Sequence, residues 1–148
     1  MTLRSDILDA QKEALKAHDE ARLAVLRMLW SAIRNQEIEK GHTELNDEEV
    51  QKMAATQIKQ LKDAAVDFAR GDRQDLVAKS EAEIKILQAY LPEQMSDEEL
   101  RSLVEKIIKE SGLSGTAVGK AIGSVMKEVK GRADGNRVKE IVSKILAG

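Results

Sequence analysis

The stretch Tyr90-Leu91-Pro92-Glu93-Gln94-Met95-Ser96-Asp97-Glu98-Glu99-Leu100 decides how this chain is organised. Pro92 is its only proline. Having no amide donor and disfavouring helical geometry at Leu91, it obliges any preceding helix to stop. Four residues later, Ser96 with Glu99 at the third helical position forms a capping box: hydroxyl and carboxylate each satisfy a free backbone amide, and a new helix starts. The domain boundary therefore falls between Leu91 and Ser96. The expected division is an N-terminal domain over 1–91 and a C-terminal domain over 96–148, joined by a short proline-containing hinge.

Forward of Ser96, Leu100, Leu103, Val104, Ile107 and Ile108 recur at i, i+3, i+4, i+7 and i+8, one apolar stripe of a helix that Gly112 closes. A second helix carries Val118, Ile122, Val125, Met126 and Val129 on one face, and a third carries Val138, Ile141, Val142, Ile145 and Leu146. Helices this short are marginal alone in water, so the three stripes must bury one another.

Backward of Tyr90, four helices precede the proline. They run from about Leu3 to His18, then from about Asp19 to Lys40 with Leu23, Leu26, Trp30 and Ile33 inward. Asn46 and Glu49 make another capping box, opening a helix with Val50, Ile58, Leu61, Ala65 and Phe68 inward until Gly71 stops it. Asp72 is read as the cap of a fourth helix, bearing Leu76, Ile84, Leu87 and Leu91. No run alternates as a strand would. The fold class is all-α: an N-terminal helical bundle and a C-terminal three-helix domain.

Composition agrees. In 148 residues, 42% are hydrophobic and 34% charged, enough to build a core under a charged surface. There is no cysteine, which excludes disulfides, thiolate nucleophiles and cysteine-based zinc sites. The opening residues, Met1-Thr2-Leu3-Arg4-Ser5-Asp6, lack the apolar run of a signal peptide, and no stretch approaches the ~18 apolar residues of a membrane span. A cytoplasmic protein with no membrane partner is expected.

The formal net charge of −2 is unevenly spread. Residues 111–148 hold seven cations (Lys120, Lys127, Lys130, Arg132, Arg137, Lys139 and Lys144) against three acids, Glu128, Asp134 and Glu140. This bias points to an anionic partner for the C-terminal domain. Lys120, Ser124 and Lys127 project opposite the apolar face of their helix, and Lys130 and Arg132 continue the ridge into the turn. Arg137 and Lys144 share a seven-residue spacing on the last helix. Lys120, Lys127, Lys130, Arg132, Arg137 and Lys144 are thus the candidate RNA-binding residues. A solvated charged face is the competing reading.

Gly115-Thr116-Ala117-Val118-Gly119-Lys120 superficially resembles a phosphate-binding loop. It is one residue short, lacks a hydroxyl after the lysine and follows no strand, so that reading fails. What remains is Gly115, Gly119 and Gly123, spaced by four, each costing about 1 kcal/mol of helix propensity relative to Ala. Close packing against a second helix backbone is the expected offset, with close approach of an RNA backbone as the alternative. His18 and His42 have no partner at metal-ligand or catalytic spacing. Carboxylates such as Glu37, Glu39, Glu81 and Glu83 are abundant, and most are read as solvated helix faces. No metal and no cofactor is expected. Trp30, Phe68 and Tyr90 all precede Pro92, so the C-terminal domain has no aromatic platform for stacking bases and should read backbone and shape.

Leu26-Arg27-Met28-Leu29, the Tyr90–Leu100 stretch, Gly123-Ser124-Val125-Met126 and Gly131-Arg132-Ala133-Asp134-Gly135, in this order and ending at Ile145-Leu146, resemble the GatB/YqeY family, and the N-terminal half resembles its YqeY type. The resemblance implies a C-terminal domain similar to the tail of the B subunit of glutamine-dependent tRNA amidotransferase, a tail that engages tRNA. That subunit's catalytic cradle has no counterpart in these 148 residues. Its carbon–nitrogen ligase activity is therefore not transferred, and no catalytic residue is assigned. Gly135 stands where many such tails carry proline, leaving Asp134 to cap a less rigid last helix. The expected function is a non-catalytic, tRNA-binding or tRNA-amidotransferase-related accessory protein. Its expected partners are tRNA and a tRNA-modifying or aminoacylation-related protein. A helical protein-interaction module without RNA binding is the rival, and carbon–nitrogen ligase activity with glutamine as amido donor is the third reading.

Overall fold

The structure, a computed structural model, describes residues 2–112 and 117–147. Its helices are α1 (Leu3–Lys16), α2 (Glu20–Glu39), α3 (Asp47–Arg70), α4 (Gln74–Gln88), α5 (Asp97–Ser111), α6 (Val118–Val129) and α7 (Gly135–Ala147). The fold is all-α, and among the described residues there is no strand. The chain forms two compact units, Met1–Leu91 and Pro92–Gly148.

In the first unit, α1 to α4 enclose a core in which Ile7, Leu26, Leu29, Ile33, Val50 and Leu87 are fully buried. Trp30, which the apolar pattern of α2 placed inward, is only partly buried at the edge of this cluster, beneath Arg4. Leu61, Ala65 and Phe68 on α3 are likewise half-buried, because the helix runs past the core alongside α4. Both expected capping boxes are present. In each, the amide of Glu49 or Glu99 donates to the cap side chain while the glutamate accepts from the cap amide.

Turn chemistry departs from the sequence reading at one place. Gly71 ends α3 with φ −85°, and the left-handed residue is Asp72 at φ 55°. Asp72 therefore does not cap α4; Arg73 holds the cap position, with no side-chain cap bond, and its guanidinium pairs with Asp75 at 3.2 Å. His18 and His42 also take left-handed backbone, at φ 56° and 65°, in the turns after α1 and α2.

In the second unit, α5, α6 and α7 bury Leu100, Val104, Ala121, Val125, Val129, Val138 and Val142 together. Gly112, in left-handed conformation at φ 64°, ends α5. Asp134 caps the last helix as expected, its Oδ1 accepting the Arg137 amide at 2.8 Å.

Candidate nucleic-acid interface

The surface that the charge pattern singled out is built on α6. Burial of Ala121, Val125 and Val129 fixes the helix's rotation, and Gly119, Lys120, Gly123 and Lys127 consequently face outward. Lys120 and Lys127 stand two turns apart, roughly 10 Å along the axis. Lys130, exposed, follows at the C-cap in left-handed backbone at φ 48°, with Gly131 at φ 83° behind it. The helix's one acid, Glu128, lies about a quarter turn away from both helical lysines. Among the described residues, the side chains of Lys120, Lys127 and Lys130 make no ion pair or hydrogen bond.

A Cβ added at Gly119 or Gly123 would meet nothing within 4 Å. Among the described residues, then, no helix backbone packs on either glycine, and close packing inside this unit does not offset their propensity cost. Both lie on exposed backbone beside the lysines. Gly115 lies outside the described residues.

The arginines behave differently from the lysines. Arg132 donates through Nε to the Glu93 carbonyl at 2.9 Å, and its guanidinium lies 4.0 Å from Glu99. Arg137 donates through Nη2 to the Met95 carbonyl at 2.8 Å and to Asp97 at 2.7 Å. The Met95 amide in turn donates to the Arg132 carbonyl at 2.8 Å, and the Gln94 side-chain amide reaches the Gly131 carbonyl at 3.1 Å. Pro92 to Met95, read from the sequence as hinge, is thus laced onto the Lys130–Asp134 turn. Two of the six candidate cations serve as local clamps, since the acids and carbonyls they hold lie about 40 residues away in sequence and are invisible to helical spacing.

Arg137 and Lys144 also border an open groove of about 220 Å³ between α5 and α7, together with Asp97, Arg101, Glu140, Ile141 and Ile145. Arg101 was not singled out by sequence reasoning. It pairs with Glu105 at 3.2 Å, an ordinary i,i+4 helix contact. The candidate cations therefore divide into the free lysine face of α6 and its turn, and a mixed-charge groove on the other side of the bundle.

In the first unit the notable ionisable group is Glu37, read from the sequence among the solvated carboxylates but only 1% exposed. Arg4 Nε donates to both its oxygens, at 2.9 and 3.2 Å, and Arg34 approaches at 3.5 Å. Arg4 in turn lies 4.8 Å from the centre of the Trp30 ring and 3.5 Å from Glu44. The Glu37 hydrogen bond holds the Arg4 guanidinium more firmly protonated than a free arginine, against the cost of its partial burial. This network ties α1 to α2 and has the character of a structural staple. Burial also raises the Tyr90 phenol above its ordinary value, opposed by Arg22. Among the described residues no group of three or more histidine and carboxylate side chains is placed to hold a metal ion. Among the described residues no helix is long and apolar enough to cross a membrane.

Comparison with known proteins extends the picture. The protein named altered inheritance of mitochondria protein 41, mitochondrial, from Vanderwaltozyma polyspora is 31% identical over 101 residues, covering 67% of this chain and 55% of its own length. Its namesake from Kluyveromyces lactis is 37% identical over 79 residues, covering 53% of this chain and 43% of its own. The chain spans about half the length of the curated relatives it matches. These names correct the expectation of a cytoplasmic protein, since the relatives are mitochondrial proteins. The composition of a helical body does not encode a compartment, which is why sequence reasoning went astray there. The family model for Yqey-like proteins matches residues 4–146, close to the full chain, and the protein belongs to the YqeY family.

Proposed function

We propose that the second unit binds tRNA through the outward face of α6, and that the protein is a non-catalytic accessory to a tRNA-modifying or aminoacylation-related enzyme. One observation carries the reading: Lys120, Lys127 and Lys130 are exposed and unpaired among the described residues, while the arginines nearby are occupied. Unpaired ammonium groups on one face can neutralise phosphates without first breaking an internal ion pair. The bare backbone at Gly119 and Gly123 lets a sugar–phosphate chain come close beside them. The relatives' names support a mitochondrial setting for this RNA.

The experiment is a tRNA titration at several salt concentrations with the wild type and the Lys120→Glu/Lys127→Glu double variant, both first shown to be equally helical. The wild type should bind with salt-dependent affinity and the variant should not. Absence of binding at low salt, or equal binding by both, defeats the proposal. The same bare glycines favour a second reading, in which α6 receives a helix of another protein and RNA is irrelevant. Retention of that partner after ribonuclease treatment, with no direct tRNA binding, selects it.

A further inference from the structure

α2 has two faces, and the bundle explains only one. Leu23, Val25, Leu26, Leu29, Ile33 and Glu37 turn into the core. On the opposite side, Ala21, Ala24, Met28, Ser31, Asn35 and Ile38 are all exposed, and none is charged, in a chain of which 34% is charged. Met28 and Ile38 are two of the large hydrophobic side chains most open to solvent, at 63% and 51%. Scattered apolar residues on a surface need no explanation. Here they share one unbroken line, alternating steps of three and four residues over the length of the helix. That spacing is the a/d seam of a coiled coil, with Ala21, Met28 and Asn35 at a, and Ala24, Ser31 and Ile38 at d.

We infer that this seam is a self-association surface, in which α2 of a second copy of this chain lies parallel and in register against it about a two-fold axis. Charge complementarity selects the occupant and its direction. In a parallel pair each g residue faces the e residue five positions on in the other copy. Arg34, which also approaches Glu37 of its own copy at 3.5 Å, then meets Glu39 of the second copy, twice by symmetry. Arg27 and Glu20 stand across from uncharged positions, Ala32 and the buried Val25, so no like charges oppose. In an antiparallel pair of the same overlap, Arg27 would face Arg34. Asn35 at an a position pairs with its own copy only in the parallel register, the role buried asparagine plays in specifying parallel dimers at a cost in stability. Alanine and serine at three of the six positions let the two helices approach closely but bury little area. The association is accordingly weak and concentration-dependent. It rests on α2 alone and stands or falls separately from RNA binding.

The chain is free of cysteine, which makes the test direct. Light scattering of the full chain over a concentration series should show the mass rise toward twice 16.4 kDa. Met28→Glu should move that transition to at least about tenfold higher concentration, a change of about 1.4 kcal/mol, with helix content unchanged. Should Met28→Glu lose helix content, Ile38→Glu, near the end of α2, replaces it with the same expected outcome. Under mild oxidant, Asn35→Cys should form a disulfide-linked dimer, whereas Ala55→Cys, exposed on α3, should not. A single-chain mass at every concentration overturns the inference, even where this face captures another protein's helix. So does a dimer indifferent to both glutamate variants. A dimer that forms while Asn35→Cys fails to cross-link overturns the parallel pairing.

Discussion

Arg137 Nη2 lies 2.7 Å from the Asp97 carboxylate and binds it while also holding the Met95 carbonyl, so the last helix is fastened to the segment that leads into α5. The Asp97 side chain is 87% exposed and that of Arg137 31%. Solvent screening therefore leaves the charge pairing worth less than about 1 kcal/mol. Loss of Arg137 also leaves the Met95 carbonyl without its donor.

Asp97→Ala should thus change the stability of the second unit by less than about 1 kcal/mol, and Arg137→Ala should destabilise it by about 1–3 kcal/mol. Chemical denaturation followed by circular dichroism measures both. Equal losses for the two substitutions would show that the carbonyl bond contributes nothing.

Lys130 offers a substitution with opposite effects on stability and binding. Its backbone is left-handed at φ 48°, a conformation costing an L-residue about 1–2 kcal/mol that glycine avoids. Lys130→Gly should raise stability by about 0.5–1 kcal/mol while weakening tRNA binding and lowering the slope of log affinity against log salt by up to about 0.9. Thermal melts and salt titrations of one protein preparation check both halves.

Glu37→Ala should lower the stability of the first unit by about 1–3 kcal/mol, because it removes the carboxylate that accepts both Arg4 hydrogen bonds and leaves only the more distant, exposed Glu44. Trp30, the chain's only tryptophan, lies against Arg4, so its fluorescence reports this unit's unfolding directly. A fluorescence transition in the variant coinciding with the wild type's would refute the staple.

Tyr90 is the only tyrosine, and burial raises its folded pKa above the unfolded value. The protonated phenol therefore contributes stability that is fully present below about pH 10 and is lost as pH rises through the folded pKa. Tyrosinate absorbance should titrate above the free phenol, and Tyr90→Phe should remove this component of alkaline destabilisation. Normal titration of the phenol in the folded protein would contradict it.

The helical fold could be read from residue spacing because each amphipathic stripe and each capping box is local. Ser96 with Glu99 and Asn46 with Glu49 act across three residues, and the structure forms both. What escaped the sequence was pairing over long separation. Nothing in the periodicity of α2 marks Glu37 as buried, because its counter-charge Arg4 lies 33 residues earlier on another helix. Arg132 and Arg137 looked like free cations for the same reason, their acceptors lying near Pro92. Lys120 and Lys127 were legible because their exposure follows from the apolar face of their own helix, and Lys130 because it stands in the turn directly after it. At Gly71, the choice of which neighbour takes the left-handed turn went to Asp72, which tolerates that conformation well enough to leave the glycine ordinary backbone.

A Cβ at Gly131 would stand 3.4 Å from the Pro92 ring, and the three residues after that ring are stitched to the same turn. As a portable cassette, the C-terminal half accordingly starts at the proline and not at the serine that opens its first helix. Excision at residue 96 would strip Arg132 and Arg137 of their main-chain acceptors and leave two frayed ends where the intact piece has a closed seam.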